Sequence, residues 1–173
     1  MEDKELKVRI SGLSAGEHDF KFKVGQAFFS SFGSDLLENG EVSINLLMLK
    51  KPTHLELNFK LEGWVSSTCD RCLVDYRHPV NSKNRLFVKF GEELKELSDD
   101  MVMIPREEHE LEIGQWVFEF ILMSIPMKKV ACEILDDDSI CDETVKKLTE
   151  GAEPEKRNPM WDALNELKND NLN

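Results

Sequence analysis

The first half of the chain alternates between apolar and polar residues. Apolar side chains occupy every second position from Val42 to Met48 and again from Leu55 to Leu61. A period of two indicates β-strands with one buried face. The pattern predicts strands that begin near Leu6, Phe20, Val42, Leu55 and Asn84. Short turns between them favour an antiparallel, meander-like sheet.

The second half changes to a helical period. From Ile113, apolar residues recur at steps of three and four as far as Ile125, and Pro126 follows. This spacing predicts an amphipathic helix that ends at the proline and covers the open face of the sheet. The sequence therefore predicts one α+β domain over residues 1–150. Its antiparallel sheet can curl toward a barrel and is covered by a long amphipathic helix, with short C-terminal helices after it.

Two stretches have the composition of connecting segments. Gly91 to Asp100 is acidic and short of large apolar groups, which predicts a mobile loop. The composition of Gly151 to Arg157 predicts a linker to a helical tail. Residues 151–173 are therefore predicted to lie outside the domain. The tail can dock on the chain's own body or in a groove on a partner. Its candidate partner-binding residues are Asn158, Pro159, Trp161, Leu164 and Leu167.

The chain is strongly acidic. It has 173 residues, a formal net charge of −12 and a pI near 4.8. Phosphate backbones repel such a surface, which argues against general nucleic-acid binding and suits basic partners such as ribosomal proteins. Direct contact with nucleic acid stays open. The charged start after Met1 and the shortness of the apolar segment from Trp116 to Met127 predict a cytoplasmic protein without a membrane span.

The four cysteines are the candidate metal ligands of the chain. Cys69 and Cys72 form a C-x-x-C between two predicted strands, where both thiols can face one metal ion from a turn. Cys132 and Cys141 complete a set of four, the number that a closed Zn²⁺ site uses. Because the second pair is eight residues apart in an acidic loop, its spacing is loose.

Other interpretations of the cysteines remain open. His78 and His109 are weaker candidate ligands. The C-x-x-C can instead be a redox pair, although no helix is predicted after it, or a pair of unmetallated thiols at a turn. The sequence holds no G-x-S-x-G, no phosphate-binding Gly-rich loop and no H-E-x-x-H, so no enzymatic activity is predicted.

The order of these features resembles the YceD-like family of large-ribosomal-RNA-subunit accumulation proteins. The resemblance runs from about residue 40 to the end of the chain. It rests on Cys69-Asp70-Arg71-Cys72-Leu73, the helix end at Ser124-Ile125-Pro126, the later Cys132 and Cys141, and the segment from Asn158 to Leu167. The chain departs from cysteine-rich members, which carry further C-x-x-C units near the end, and this puts a fully thiolate metal site in doubt.

The resemblance implies a non-enzymatic function. It carries the family's first cysteine pair onto Cys69 and Cys72 and its later pair onto Cys132 and Cys141. The implied role is in large ribosomal subunit biogenesis and 23S ribosomal RNA accumulation. We expect the protein to bind a ribosomal protein or a precursor particle through its acidic surface. The alternative is a zinc- or redox-responsive regulatory protein that uses its cysteines.

Overall fold

Strands dominate the computed structural model, which describes residues 6–34, 36–137, 139–141 and 145. The elements, in chain order, are β1 (Lys7–Arg9), β2 (Gly16–Val24), α1 (Gln26–Ser31), β3 (Gly40–Lys50), β4 (His54–Thr68), β5 (Asp75–Gly91), β6 (Lys95–Ser98), β7 (Met101–Pro105), β8 (Glu110–Glu112), α2 (Gly114–Met123) and α3 (Ala131–Leu135). In this described part of the chain, no helix has the length and apolarity that crossing a membrane requires.

Six strands form one mixed sheet in the order β2-β3-β4-β5-β7-β6. Every pair in it is antiparallel except β5 and β7, which run parallel. The strands β1 and β8 pair separately as a small antiparallel ribbon. Because β2 and β6 lie at opposite edges of the large sheet, the sheet is open and does not close into a barrel.

The predicted fold class is therefore wrong in three respects. The sheet is mixed, it is not barrel-like, and the helix on it is not long. The covering helix α2 has 10 residues. It ends where Ser124 donates its hydroxyl to the Ile121 carbonyl at 2.6 Å, shortly before Pro126. The predicted short helices after it lie largely outside the described residues, which contain the 5-residue α3 in that region.

The strands β6 and β7 were missed because their signal is weak. Residues 91–100 were predicted as a mobile loop, but Lys95 to Ser98 form an edge strand whose residues are all exposed. Met101 to Pro105 then add the parallel strand, with Val102 and Ile104 buried. An exposed edge strand needs no apolar alternation, so its polar composition resembles that of a loop. Each of the five predicted strand segments overlaps a strand of the structure, although β1 is shorter than predicted and excludes Leu6 and Ile10.

The core lies between the inner face of the sheet and the two helices α1 and α2. Alternate side chains of β3, β4 and β5 point to this face and are buried. The rings of Phe59 and Phe120 meet at a centroid distance of 5.3 Å, and those of Phe32 and Phe118 stack at 4.3 Å. These contacts fix α2 to the sheet and leave the opposite face to solvent.

We expect Ile121→Ala to destabilise the fold strongly. Ile121 has no exposed surface, and truncating such a side chain leaves a cavity. The expected loss is about 2–5 kcal/mol in the free energy of unfolding, measured by urea denaturation. Met123→Ala on the same helix is the control. The Met123 side chain is 69% exposed, so its loss should change that free energy by less than about 0.5 kcal/mol. Equal losses for the two variants would contradict the packing described.

Candidate metal centre

The C-x-x-C lies at the tip of the β4–β5 hairpin. The backbone N–H of Cys69 donates to the carbonyl of Val74 at 2.9 Å, and that of Leu73 donates to the carbonyl of Cys69 at 2.9 Å. Leu73 adopts a φ of 59°, a left-handed conformation that costs a branched residue energy. This tight turn places the Cys69 and Cys72 side chains on one side of the tip.

Three thiols meet at this tip. The Sγ atoms of Cys69, Cys72 and Cys141 all lie within 4.8 Å of one another. Those of Cys69 and Cys141 are 3.9 Å apart. Cys69 and Cys141 are buried and Cys72 is half-buried, and all four cysteines of the chain are free thiols. The structure thus brings together three of the four predicted ligands.

The fourth predicted ligand, Cys132, lies beside this group and not within it. It is buried in the same small apolar cluster as Cys69 and Cys141. Its Sγ accepts a hydrogen bond from the Arg71 guanidinium at 3.6 Å. The Cys132 side chain also raises the pKa of Cys141. Cys132 is therefore a neighbour of the three-thiol group.

Backbone donors favour a thiolate at Cys69. Burial raises the pKa of Cys69, but the N–H groups of Ala131, Cys72 and Arg71 lower it by more, and the pKa falls to about 7. The N–H of Ala131 lies 3.4 Å from Sγ. A thiol that donors hold as its anion is a competent metal ligand at neutral pH.

The neighbouring thiol behaves in the opposite way. The hydrogen bond with the Cys132 side chain and burial together raise the pKa of Cys141 to about 12. Burial of several sulfur atoms without a cation disfavours more than one negative charge. A bound cation would remove this conflict, because it stabilises all of the thiolates that coordinate it.

The hairpin tip is anchored to the segment before and within α3. Asp70 exchanges two hydrogen bonds with the Lys129 backbone, at 2.7 Å from its N–H and 2.6 Å to its carboxylate. Arg71 forms an ion pair with Glu133 at 2.6 Å. The two residues between Cys69 and Cys72 therefore hold the hairpin tip against the segment that contains Cys132 and precedes Cys141.

The weaker candidate ligands do not join the thiols. His78 is buried, and its Nδ1 lies 3.1 Å from the Tyr76 hydroxyl. Burial is the main cause that lowers the pKa of His78. His109 is remote from the centre, and its carbonyl accepts N–H bonds from Ile10 and Ser11. The predicted partner-binding residues lie outside the described residues; they are Asn158, Pro159, Trp161, Leu164 and Leu167.

The sulfur donors suit a thiophilic metal ion more than redox catalysis. Zn²⁺ favours sets of cysteine thiolates in a tetrahedral arrangement. Reactive C-x-x-C pairs usually lie at a helix N-terminus, whereas Cys69 and Cys72 lie at a strand-to-strand turn. The backbone donors at Lys129 and Ala131 were not predicted, because a main-chain N–H has no signature in the sequence. The three-thiol cluster could hold a metal ion.

The comparisons with known proteins identify the family. The model of the large ribosomal RNA subunit accumulation protein YceD family matches residues 57–168. No curated protein and no solved structure matches the chain. The fold and the site define a class of protein: a small, sheet-dominated protein with a thiol cluster at a hairpin tip.

The chain belongs to the large ribosomal RNA subunit accumulation protein YceD family. The match begins within β4 and includes all four cysteines and the segment from Asn158 to Leu167. It confirms the family that the order of motifs indicated. The family name describes a role in accumulation of the large ribosomal RNA.

We expect the chain to bind Co²⁺, a spectroscopic probe for thiolate metal sites. Titration should give a near-ultraviolet thiolate-to-cobalt absorption that saturates at a single equivalent. Cys69→Ser should abolish this absorption because it removes a sulfur from the three-thiol group. Cys132→Ser should weaken Co²⁺ binding by about 10–100-fold if Cys132 acts as a supporting neighbour, and abolish it if Cys132 is a ligand.

His109→Ala is the matched control for the cobalt titration. His109 is exposed and remote from the thiols, so this variant should bind Co²⁺ as the unaltered chain does. A chain that shows no thiolate-to-cobalt absorption would contradict the assignment. So would a Cys69→Ser variant with unchanged affinity.

Proposed function

We propose that this protein is a non-enzymatic factor in large ribosomal subunit biogenesis that supports 23S ribosomal RNA accumulation. In this proposal it acts in the cytoplasm and binds a basic segment of a ribosomal protein or of a precursor particle. The family supports the ribosomal role. The observation that carries the binding mode is an apolar groove surrounded by carboxylates.

The groove lies between α2 and the β6–β7 edge of the sheet. It consists of two adjoining depressions of about 430 and 500 Å³ that share Glu96, Val102 and Trp116. Leu94 and Met123, on its two sides, are 73% and 69% exposed. Large apolar side chains that remain exposed around one surface groove mark interaction sites more often than isolated ones do.

Charged groups of one sign surround this apolar floor. Among the described residues that line the groove, none is Lys, Arg or His. The acidic ones are Glu96, Asp99, Glu108, Glu110, Glu112 and Glu119. An amphipathic segment with apolar anchors and flanking Lys or Arg would complement both properties. Ribosomal proteins are rich in such segments because they contact RNA.

The C-terminal tail is a second part of the proposal. Trp161, Leu164 and Leu167 have the spacing of one helix face. We propose that this segment contributes to partner binding. Trp161→Ala with Leu164→Ala, made in the full chain, separates two possibilities. Weaker partner binding supports a direct role, whereas stronger binding indicates that the tail competes for the groove.

We propose that Zn²⁺ is the metal of the thiol cluster and that its role is structural. Cys69 and Cys72 at the hairpin tip and Cys141 beyond α3 would hold it, with Cys132 beside them. When bound, Zn²⁺ crosslinks these segments by charge-stabilised Zn–S bonds. The chain's own residues, Asp70 and Arg71, already position the two segments through their contacts with residues 129–133.

A second candidate function is a zinc- or redox-responsive regulator. The close approach of three thiols favours it. The two candidates differ in what metal loss does. A regulator should change partner binding reversibly with metal or oxidant, whereas a structural site should give a gradual loss of fold on chelation. Partner capture before and after chelation, followed by circular dichroism of the same sample, distinguishes them.

The proposed partner binding is tested by affinity capture from native cells. The eluate is divided into nuclease-treated and untreated halves, and both RNA and proteins are identified. We expect large-subunit proteins to persist after nuclease treatment because they bind the groove. Glu96→Lys with Glu108→Lys should reduce their recovery about ten-fold or more, since reversed charges at a complementary interface cost several kcal/mol.

The matched control for this capture is Glu17→Lys with Glu38→Lys. Both residues are exposed, neither lines the groove, and the change in net charge is the same. Equal loss in the two double variants would show a general charge effect and contradict a groove-specific partner. An eluate without large-subunit components, together with unchanged 23S ribosomal RNA levels in cells that lack the protein, would overturn the proposed function.

A further inference from the structure

The outer face of the sheet carries a row of lysines that the strand register creates. Lys21 of β2 pairs with Asn45 of β3, Asn45 with Lys60 of β4, and Lys60 with Lys83 of β5. Paired residues of an antiparallel sheet point to the same side, and the residues flanking each of the three lysines along its strand point to the inner face. Three ammonium groups thus lie in one line across four strands of a chain with a net charge of −12.

Without a bound ligand, this row of lysines destabilises the folded sheet. Like charges directly opposite one another on adjacent strands destabilise a sheet, and Lys60 and Lys83 are directly opposite. Lys60 has an exposed ion pair with Glu62 at 2.9 Å. Within the described residues, neither Lys21 nor Lys83 has an ion-pair partner. An anionic ligand lying over the row would neutralise the repulsion between these ammonium groups.

Strand β5 extends the basic surface along the sheet. Its outward positions carry four basic residues, with Asp75 as the acidic one, and Asp75 accepts a hydrogen bond from Thr68. The basic residues are Arg77, Lys83, Arg85 and Lys89. Alternate residues of a strand lie about 7 Å apart, so these side chains form a stripe of about 40 Å. Its length suits an extended polyanion better than a small ligand.

Acidic residues of the same face lie mainly toward β2 and β3 or are paired. Lys23 pairs with Glu41 at 2.7 Å, and Lys51 pairs with Glu56. Glu17 and Asp19 occupy the first outward positions of β2, which pair with Leu49 and Leu47 of β3. The basic surplus is therefore concentrated on β5 and on the lysine row that leads to it.

Two arginines on β5 lie over aromatic rings. The Arg77 guanidinium lies 4.3 Å from the centre of the Trp64 ring, and that of Arg85 lies 5.4 Å from the centre of the Phe87 ring. Arg85 also donates to the Asn58 side chain at 3.2 Å. Guanidinium groups and aromatic rings both offer planar surfaces on which unpaired bases stack.

A shallow concavity joins these features. It has a volume of about 410 Å³. Its lining contains three cations and one carboxylate, with asparagine amides between them: Lys60, Lys83, Arg85, Asp19, Asn45, Asn58 and Asn84. The amide groups add donors and acceptors that can bind base edges or a ribose hydroxyl. Cations for phosphates, planar groups for bases and amides for polar edges are the elements of a single-stranded RNA surface.

We propose that the outer face of β4 and β5, together with Lys21, binds single-stranded segments of RNA. The choice of RNA over other polyanions rests on the proposed function in ribosomal RNA accumulation; the basic face itself rests on strand register. An open sheet face contacts splayed bases and their phosphates at the same time. The surface lies on the side of the sheet opposite α2, so an RNA on it leaves the acidic groove free.

The test is fluorescence anisotropy with a 5′-labelled 20-nucleotide single-stranded RNA of mixed sequence, using the full chain. Lys60→Gln with Lys83→Gln should weaken binding roughly 20-fold at 0.1 M salt. Each phosphate contact contributes about 0.7 to the slope of log Kd against log salt concentration, and this variant loses two such contacts. Lys95→Gln with Lys128→Gln removes the same charge from other exposed positions and should bind as the unaltered chain does.

A stability measurement separates a binding defect from a folding defect. Because the Lys60→Gln and Lys83→Gln variant removes a cross-strand repulsion, its midpoint in urea should equal or exceed that of the unaltered chain. Weaker RNA binding with undiminished stability supports the proposal. Weaker binding that accompanies a lower midpoint overturns it, since the lysines would then act through the fold.

Other probes decide the ligand class. Duplex RNA and single-stranded DNA of the same sequence should bind more weakly than the single-stranded RNA, and polyglutamate should not compete with it. Equal binding of all of these polyanions, or no binding of the RNA, would overturn the proposal. If the RNA does not bind but cells that lack the protein contain less 23S ribosomal RNA, this inference is wrong and the proposed function still holds. Face-dependent RNA binding with normal 23S levels would contradict the proposed function alone.

Discussion

The pairing of β4 with β5 is the interaction on which the rest of the structure depends. The two strands are in register over the 15 residues of β4, from His54 opposite Lys89 to Thr68 opposite Asp75. Their inward side chains form the centre of the core. Their outward side chains form the basic face, and their tip carries Cys69 and Cys72. A shift of one residue would reverse inside and outside and disrupt the core, the thiol cluster and the lysine row together.

The fold was predictable where the sequence has a strong period. Alternation located the five strand segments, and the three- and four-residue steps located α2. The parallel strand β7 was not predictable, because it pairs directly with β5 although the chain between them forms β6, an exposed edge strand that has no apolar face. The helix length was overestimated because the period continues to Ile125, whereas Ser124 already closes the last turn. Periodicity identifies an element more reliably than it identifies its partner or its end.

The thiol cluster was predictable in composition but not in arrangement. Spacing alone marked Cys69 and Cys72, and counting added Cys132 and Cys141. Which of the later pair joins the first depends on the short helix α3 and the left-handed Asp136 that follows it, with a φ of 52°. This turn lets the chain after α3 return to the hairpin tip, where Cys141 meets Cys69 and Cys72 and Cys132 remains beside them. No local pattern in the sequence specifies such a return.

The position of charged residues on the surface is the property that composition predicts least. A net charge of −12 argues against general nucleic-acid binding when it is spread evenly over a surface. The fold instead gathers carboxylates around the groove beside α2 and lysines and arginines on the opposite face of the sheet. The charges of both surfaces are exposed to solvent, and exposed charges that lie farther apart than the Debye length, about 8 Å at physiological salt, are largely screened from one another by ions in solution. Local charge, and not the total, then decides what each face can bind. A factor that holds a basic protein on one side and its RNA on the other needs this kind of separation.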